Sequence, residues 1–266
     1  MERIRRSGQG LGRPMTTPAL QVEKLSKSFR AIQALDEVSM SLHRGRVTAL
    51  LGDNGAGKST LVKCLAGVYQ PDSGTISIDG TNHRIATPDM AQSLGIETVH
   101  QNLSLIDTLD VSENLFLNRE QTRGGWIGAR LGVLNRGRMR SECRTALAHL
   151  EIKIPSLRQP VGLLSGGQRQ AIAIGRAVAW SRHIVLLDEP AAALGVEQTS
   201  RVLDLIRRLR DSGIAVLLIT HNMDRVTEVC DDAVILRRGK KTAEVEVDEV
   251  TTADLVGFIT GAKTTV

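Results

Sequence analysis

A glycine-rich run near residue 55 carries the clearest chemistry in this chain. It consists of Gly52, Asp53, Asn54, Gly55, Ala56, Gly57, Lys58, Ser59 and Thr60 and fits the pattern G-x4-GK-[ST]. The glycines let successive N–H groups point at a β-phosphate, Lys58 would bridge the β- and γ-phosphates, and Ser59 could ligate Mg²⁺. A glycine-rich turn before an ordinary helix is the alternative interpretation. The run predicts a nucleoside triphosphate site.

Two acids end the apolar run Ile184 to Leu187. Asp188 would hold Mg²⁺ through water, and Glu189 would polarise the attacking water. Open α/β sheets place their ligands at the carboxyl ends of such strands. Any strand can end in acids, so the pattern becomes informative only beside the glycine-rich run. Together the two motifs predict Mg²⁺-dependent hydrolysis of a nucleotide.

A second anion-binding segment is LSGGQRQ, residues 164–170. Ser165 is a candidate helix cap, and Gly166, Gly167 and Gln168 let backbone N–H groups approach an anion. An accidental turn is the alternative. One chain cannot easily close both sites on the same γ-phosphate, so we expect a second copy to supply the partner site.

Residues 18–245 resemble the ATP-binding-cassette (ABC) family, whose LSGGQ signature is intact about twenty residues before the acidic strand. The resemblance implies ATP and Mg²⁺ as ligands and ATP hydrolysis as the activity. It implies that Gln101 touches Mg²⁺ and the lytic water, that His221 contacts the γ-phosphate, and that Phe29 stacks on adenine. An incidental surface histidine and a core or surface phenylalanine are the alternatives.

One position departs from the family pattern. The family usually has an aspartate where this chain has Gly195, and that aspartate reaches across the dimer, so cross-talk between the two sites is in doubt.

The segments GDNGAGKST, EPAAALGV and HNMDRVTEVCDDAVILRRGKK resemble importers of ribose, xylose and fructose. The resemblance implies a separate membrane permease and an extracytoplasmic sugar-binding protein as partners, with this subunit peripheral on the cytoplasmic face of the inner membrane. It leaves the sugar undetermined.

Two other functions stay open. A soluble cassette ATPase acting on nucleic acid or ribosomes would need coiled-coil arms, paired cassettes or a large basic domain, and none is visible. Aromatic residues at 2% also argue against base-stacking platforms, so no nucleic-acid partner is expected. A regulatory module that binds nucleotide without hydrolysis would be distinguished by measuring phosphate release.

The alternation of short β-rich runs with amphipathic runs predicts an α/β fold, and the resemblance to the ABC family implies the P-loop NTPase, ABC-ATPase type of that fold. Apolar runs alternating with amphipathic segments predict a mostly parallel sheet, with strands at 46–51, 96–100, 184–188 and 215–220 and helices at 58–66, 168–180 and 198–210. Residues 20–42 and 74–80 predict an antiparallel β subdomain, and 232–247 predicts a hairpin.

The domain plan follows from length and composition. At 266 residues, one large domain with an inserted subdomain is expected. Residues 1–17 form a flexible basic extension in which Met15 could be the true start, 18–245 form the ATPase domain with a helical subdomain at about 102–164, and 246–266 form a C-terminal tail. The apolar runs are too short to span a bilayer.

Two compositional features complete the predictions. Residues 119–144 hold seven arginines against two glutamates, which predicts a solvated basic face or a surface for acidic lipids or a partner. Cys64, Cys143 and Cys230 fit no metal or disulfide spacing, so free thiols are expected.

Overall fold

Two β-sheets organise the chain in the computed structural model, which describes residues 17–100, 103–124, 130, 132–180, 183–192 and 194–263. The central sheet has the strand order β10-β9-β3-β8-β7-β6. Its strands are β3 (Val47–Leu51), β6 (Ile96–Val99), β7 (Ile184–Asp188), β8 (Ala215–Ile219), β9 (Asp232–Arg237) and β10 (Lys240–Glu246). All neighbours are parallel except the β9–β10 hairpin. The predicted parallel sheet and hairpin are confirmed.

The second sheet is antiparallel, with the order β2-β1-β4-β5. It contains β1 (Leu20–Phe29), β2 (Ile32–Leu42), β4 (Ser73–Ile78) and β5 (Thr81–His83). Apolar side chains from this sheet pack with one face of the central sheet in a single buried cluster that includes Leu20, Leu42, Leu61, Leu186 and Leu217. This sheet agrees with the predicted antiparallel β subdomain.

Eight helices lie in the described part of the chain. They are α1 (Lys58–Leu65), α2 (Pro88–Ser93), α3 (Val111–Leu115), α4 (Arg136–His149), α5 (Gly166–Trp180), α6 (Val196–Asp211), α7 (Met223–Val229) and α8 (Thr252–Thr260). Side-chain caps fix several starts: Asp110 and Thr251 form capping boxes with Glu113 and Asp254. Helices α1, α5 and α6 begin within two residues of their predicted positions.

Helices α3 and α4 lie where the helical subdomain was expected. They pack around their own buried cluster, which includes Phe116, Met139 and Leu147 and reaches Ile172 of α5. The boundaries at 102 and 164 stay a prediction. A separate cluster next to the sheet indicates that this part of the chain is positioned by α5, the helix that begins at the signature segment.

The basic stretch 119–144 is largely paired within the chain. Arginines 119, 136, 138 and 140 lie within 2.8–3.4 Å of carboxylates of Glu97, Glu113, Glu142 and Asp110. The exposed pair of Arg138 and Glu142 contributes about 0–1 kcal/mol, whereas the carboxylates of Glu97 and Asp110 are buried and need the charge of Arg119 and Arg140. This pairing favours the solvated-face interpretation for Arg136 and Arg138, while Arg119 and Arg140 neutralise buried carboxylates of the chain.

The remaining predictions concern the two ends of the chain, the cysteines and membrane-spanning helices. The predicted tail contains α8, which the sequence did not predict, and its Leu255 and Phe258 are buried. Cys64, Cys143 and Cys230 are free and buried, as expected. Among the helices that the structure describes, none is long and apolar enough to cross a membrane. Nearly all of the predicted basic extension, residues 1–16, lies outside the described residues.

Candidate functional site

The carboxyl ends of three neighbouring strands bring the predicted catalytic groups together. In the sheet register, Leu50 of β3 pairs with Ile219 of β8, and Ile219 pairs with Asp188 of β7. The chain continues from these strand ends into the glycine-rich run, into Glu189 and into His221. All three segments line one pocket of about 860 Å³. Residues more than 160 positions apart in the sequence therefore share one site.

Backbone geometry at Gly52 explains how the glycine-rich run can curl. Its φ is +145°, and a Cβ there would lie 2.2 Å from the carbonyl oxygen of Leu236. Only glycine fits both the conformation and the space. The loop holds the Lys58 ammonium, whose Nζ donates hydrogen bonds to the carbonyls of Gly52 at 2.6 Å and Asp53 at 2.9 Å. The cation is thus already positioned over the loop.

Glu189 and His221 form a close pair. Glu189 Oε1 lies 2.7 Å from His221 Nδ1, and its backbone N–H donates to the Ile219 carbonyl at 3.0 Å. Its φ of +50° is unusual for a non-glycine residue and fixes the direction of the side chain. Its other oxygen, Oε2, is buried and has no hydrogen-bond donor among the described residues. That oxygen is free to accept a hydrogen bond from a water molecule or a ligand.

Burial and neighbouring charges perturb two groups in opposite senses. Burial lowers the pKa of Lys58, against the opposing charges of Glu189, Asp53 and Asp188. Burial first, and the Glu189 carboxylate second, raise the pKa of Asp188, while His100, Lys58 and Lys63 oppose the shift. Both shifts mean that neighbouring charges do not fully offset the cost of burying the ionised forms of Lys58 and Asp188. An anion near Lys58 and a cation near Asp188 would each supply the missing charge.

The donor set also fits a magnesium ion. Ser59 and Asp188 line the same pocket and offer a hydroxyl and a carboxylate, the hard oxygen ligands that Mg²⁺ prefers when substrate phosphates and water complete its shell. Gln101, predicted to join them, lies outside the described residues.

The signature segment lies at a different place. Ser165 caps α5, because its Oγ accepts from the Gln168 N–H at 3.3 Å while Gln168 Oε1 accepts from the Ser165 N–H at 3.0 Å. Residues 165–168 are all described, and none lines the 860 Å³ pocket; Ser165, Gly167 and Gln168 line another cavity of about 350 Å³. The structure therefore does not bring the two predicted phosphate-binding segments together within one chain.

Phe29 packs beside the site. Its ring meets that of Tyr69 edge-on at a centroid distance of 5.0 Å, and it is 39% exposed. It does not line the pocket, so stacking on adenine stays a prediction. The sequence analysis did not identify three residues at the start of β2 that do line it, Ile32, Gln33 and Ala34. Only their position just after Phe29 could have indicated them.

The fold and this pocket define a P-loop nucleoside triphosphatase. The sequence matches the ABC transporter family over residues 35–192. It is 45% identical over 237 residues to the xylose/arabinose import ATP-binding protein XylG of Sulfolobus acidocaldarius, covering 87% of this chain and 92% of that protein. The chain belongs to the ABC transporter family, and it is an ATPase.

Two further comparisons agree. The chain is 40% identical over 247 residues to the fructose import ATP-binding protein FrcA of Rhizobium meliloti, covering 92% of this chain and 95% of that one. A crystal structure of an ATP-binding cassette of an ABC transporter in its ADP conformation superposes with a TM-score of 0.74 at 26% identity. It covers 94% of this chain and 97% of the other. The expected family and fold are confirmed.

Proposed function

We propose that this chain is the ATP-hydrolysing subunit that powers import of a monosaccharide through a separate membrane permease. The observation that carries the proposal is the convergence of the glycine-rich run, Asp188, Glu189 and His221 on one pocket. The relatives named for xylose/arabinose and fructose import match over nearly their whole length, which supports the sugar class. They favour the importer over a soluble ATPase acting on nucleic acid.

The nucleotide enters with its phosphates on the N–H groups of residues 52–60. Here the first turn of α1 adds positive potential. Lys58 exchanges its carbonyl contacts with Gly52 and Asp53 for phosphate oxygens. Ser59, Asp188 and Gln101 would hold the magnesium ion, which neutralises charge on the phosphates when bound.

Glu189 acts on the attacking water. Its Oε1 is hydrogen-bonded to His221 and its buried Oε2 has no donor among the described residues, so the carboxylate has acceptor capacity left with which it would orient a water molecule toward the γ-phosphate. Glu189 is 15% exposed while the His221 side chain is 78% exposed, so the imidazole can reach a nucleotide in the open part of the pocket. With Nδ1–H donated to Glu189, only the imidazolium could also donate from Nε2 to a phosphate oxygen.

A second copy completes the site. Since Ser165, Gly167 and Gln168 line a cavity separate from the nucleotide pocket, the signature of one chain would close on the γ-phosphate held by its partner. The N-terminus of α5, capped by Ser165, supplies backbone N–H groups suited to an anion. The assembly would lie on the cytoplasmic face of the inner membrane, with an extracytoplasmic binding protein delivering the sugar to the permease.

Loss of uptake tests the proposal. In a strain lacking the gene, uptake of labelled xylose, arabinose, fructose and ribose is measured with the parental gene, with Glu189→Gln and with Lys58→Ala. We expect loss of uptake of one monosaccharide, restored by the parental gene alone. Unchanged uptake of every monosaccharide in the deletion strain would contradict the importer. Phosphate release from the purified chain separates the ATPase from a module that only binds nucleotide.

A further inference from the structure

We propose that Gln198 is a positioning residue that joins the signature segment to the segment before α6. The inference rests on the proposed function, because both segments face the second copy's nucleotide in that assembly. Gln198 occupies the first turn of α6 and lines the 350 Å³ cavity with Ser165, Gly167 and Gln168.

The aliphatic stem of Gln198 packs on the signature backbone. A Cβ placed on Gly167 would lie 2.8 Å from Cγ, 2.9 Å from Cβ and 3.7 Å from Cα of Gln198. No side chain fits between the backbone of residue 167 and Gln198, so close packing requires glycine here, in addition to the access that glycine gives to an anion. The start of α5 therefore packs directly on the start of α6 at the side chain of Gln198.

The carboxamide of Gln198 fills the space beside Gly195. A Cβ on Gly195 would lie 2.6 Å from Gln198 Oε1, whereas the Gly195 backbone itself, at φ −68°, would accept any side chain. Gly195 is the N-cap residue of α6, and the start of this helix has no side-chain capping hydrogen bond. The absence of a side chain at residue 195 thus leaves room for the Gln198 amide, which then sits between the two segments.

Leu194 makes a parallel contact, since a Cβ on Gly166 would lie 3.3 Å from its Cδ2. Both signature glycines thus meet residues that flank the start of α6. Movement of the start of α6 would therefore move the signature segment, and the side chain of Gln198 lies against both Gly167 and Gly195. We infer that it sets the position in which the signature meets the partner's nucleotide.

A double-mutant cycle between residues 195 and 198 tests this. Gln198→Ala should raise the ATP concentration for half-maximal hydrolysis by about 10-fold. Gly195→Ala should raise it by about 3-fold in the parental chain, because its methyl group displaces the carboxamide. In the Gln198→Ala background it should add less than about 2-fold, since the carboxamide is already absent.

Two measurements separate positioning from simple destabilisation. Gly195→Ala should lower the melting temperature by only a few degrees, because alanine fits the observed φ but caps a helix less well than glycine, so half-saturation is measured well below the melting temperature of every variant. Gln198→Met, which keeps the stem on Gly167, should recover most of the loss seen in Gln198→Ala. Ser200→Ala, on the exposed face of α6, is the matched control and should behave as the parent.

The inference would be overturned if Gln198→Ala needed the same ATP concentration for half-maximal hydrolysis as the parental chain. It would also be overturned if Gly195→Ala changed that concentration equally in the parental chain and in Gln198→Ala. If Gln198→Ala does not fold, Gly195→Ala compared in the parental and Gln198→Leu chains decides the same question, with a smaller effect expected in the second, because leucine ends at the Cδ level, where the distance to the new methyl group is 3.7 Å. Absence of ATP hydrolysis in the parental chain would instead contradict the proposed function.

Discussion

Substitution of Gly52 by alanine should damage both the fold and the site. The positive φ of +145° disfavours a side chain, which costs about 1–2 kcal/mol. The new methyl group would lie 2.2 Å from the Leu236 carbonyl oxygen, a backbone atom that cannot turn away. Overpacking of this kind adds about 1–3 kcal/mol.

The sum is about 2–5 kcal/mol, which for a chain of this size lowers the melting temperature by about 4–20 °C. Gly213→Ala is the control, because Gly213 also has a positive φ, of +87°, but open space around its missing Cβ. It should lose only the backbone contribution of about 1–2 kcal/mol.

Thermal unfolding followed by circular dichroism, with and without ATP, measures both effects. We expect Gly52→Ala to melt below Gly213→Ala and to gain no stability from ATP, while Gly213→Ala keeps the parental gain. Equal melting temperatures for the two variants would refute the packing argument at Gly52.

Two further predictions concern buried ionisable groups. Asp188→Asn should raise the melting temperature at neutral pH, because the raised pKa of Asp188 disfavours its ionised form in the fold, and should lower hydrolysis on the order of 100-fold. The stability gain should disappear as the pH falls below the ordinary aspartate pKa; a gain independent of pH would contradict the electrostatic cause. Thiol reagents at pH 8 should label the native chain slowly, because burial raises the pKa of Cys64 to about 11 and of Cys143 to about 12. Unfolding in denaturant should expose all three cysteines, and fast native labelling would count against the described burial.

The strands and helices that depend on local sequence patterns could be predicted. Buried strands β3, β7 and β8 are apolar runs that end in glycine or polar residues, and the helix after the glycine-rich run follows from its spacing. Because parallel strands present their carboxyl ends at one edge, Lys58 and Asp188 could be assigned to one site from the sequence, and the resemblance to the ABC family added His221.

Nonlocal packing was not predictable. The contact of Gln198 with Gly167 joins residues 31 positions apart, and no local pattern marks it. The pairing of Glu97 with Arg119 likewise depends on how the helical segment folds back on the sheet. Helix α8 was missed because its stability comes from Leu255 and Phe258 packing on the chain, rather than from a long amphipathic repeat.

The most direct test of the account compares Glu189→Gln with Lys58→Ala in ATP binding, single-turnover hydrolysis and light scattering. Glu189→Gln keeps the size of the side chain and removes its charge, so it should bind Mg·ATP, form a dimer with ATP and hydrolyse about 10²- to 10⁴-fold more slowly. Lys58→Ala should lose ATP binding itself and stay monomeric. Hydrolysis by Glu189→Gln at near the parental rate would contradict the account and leave His221 as the leading catalytic candidate.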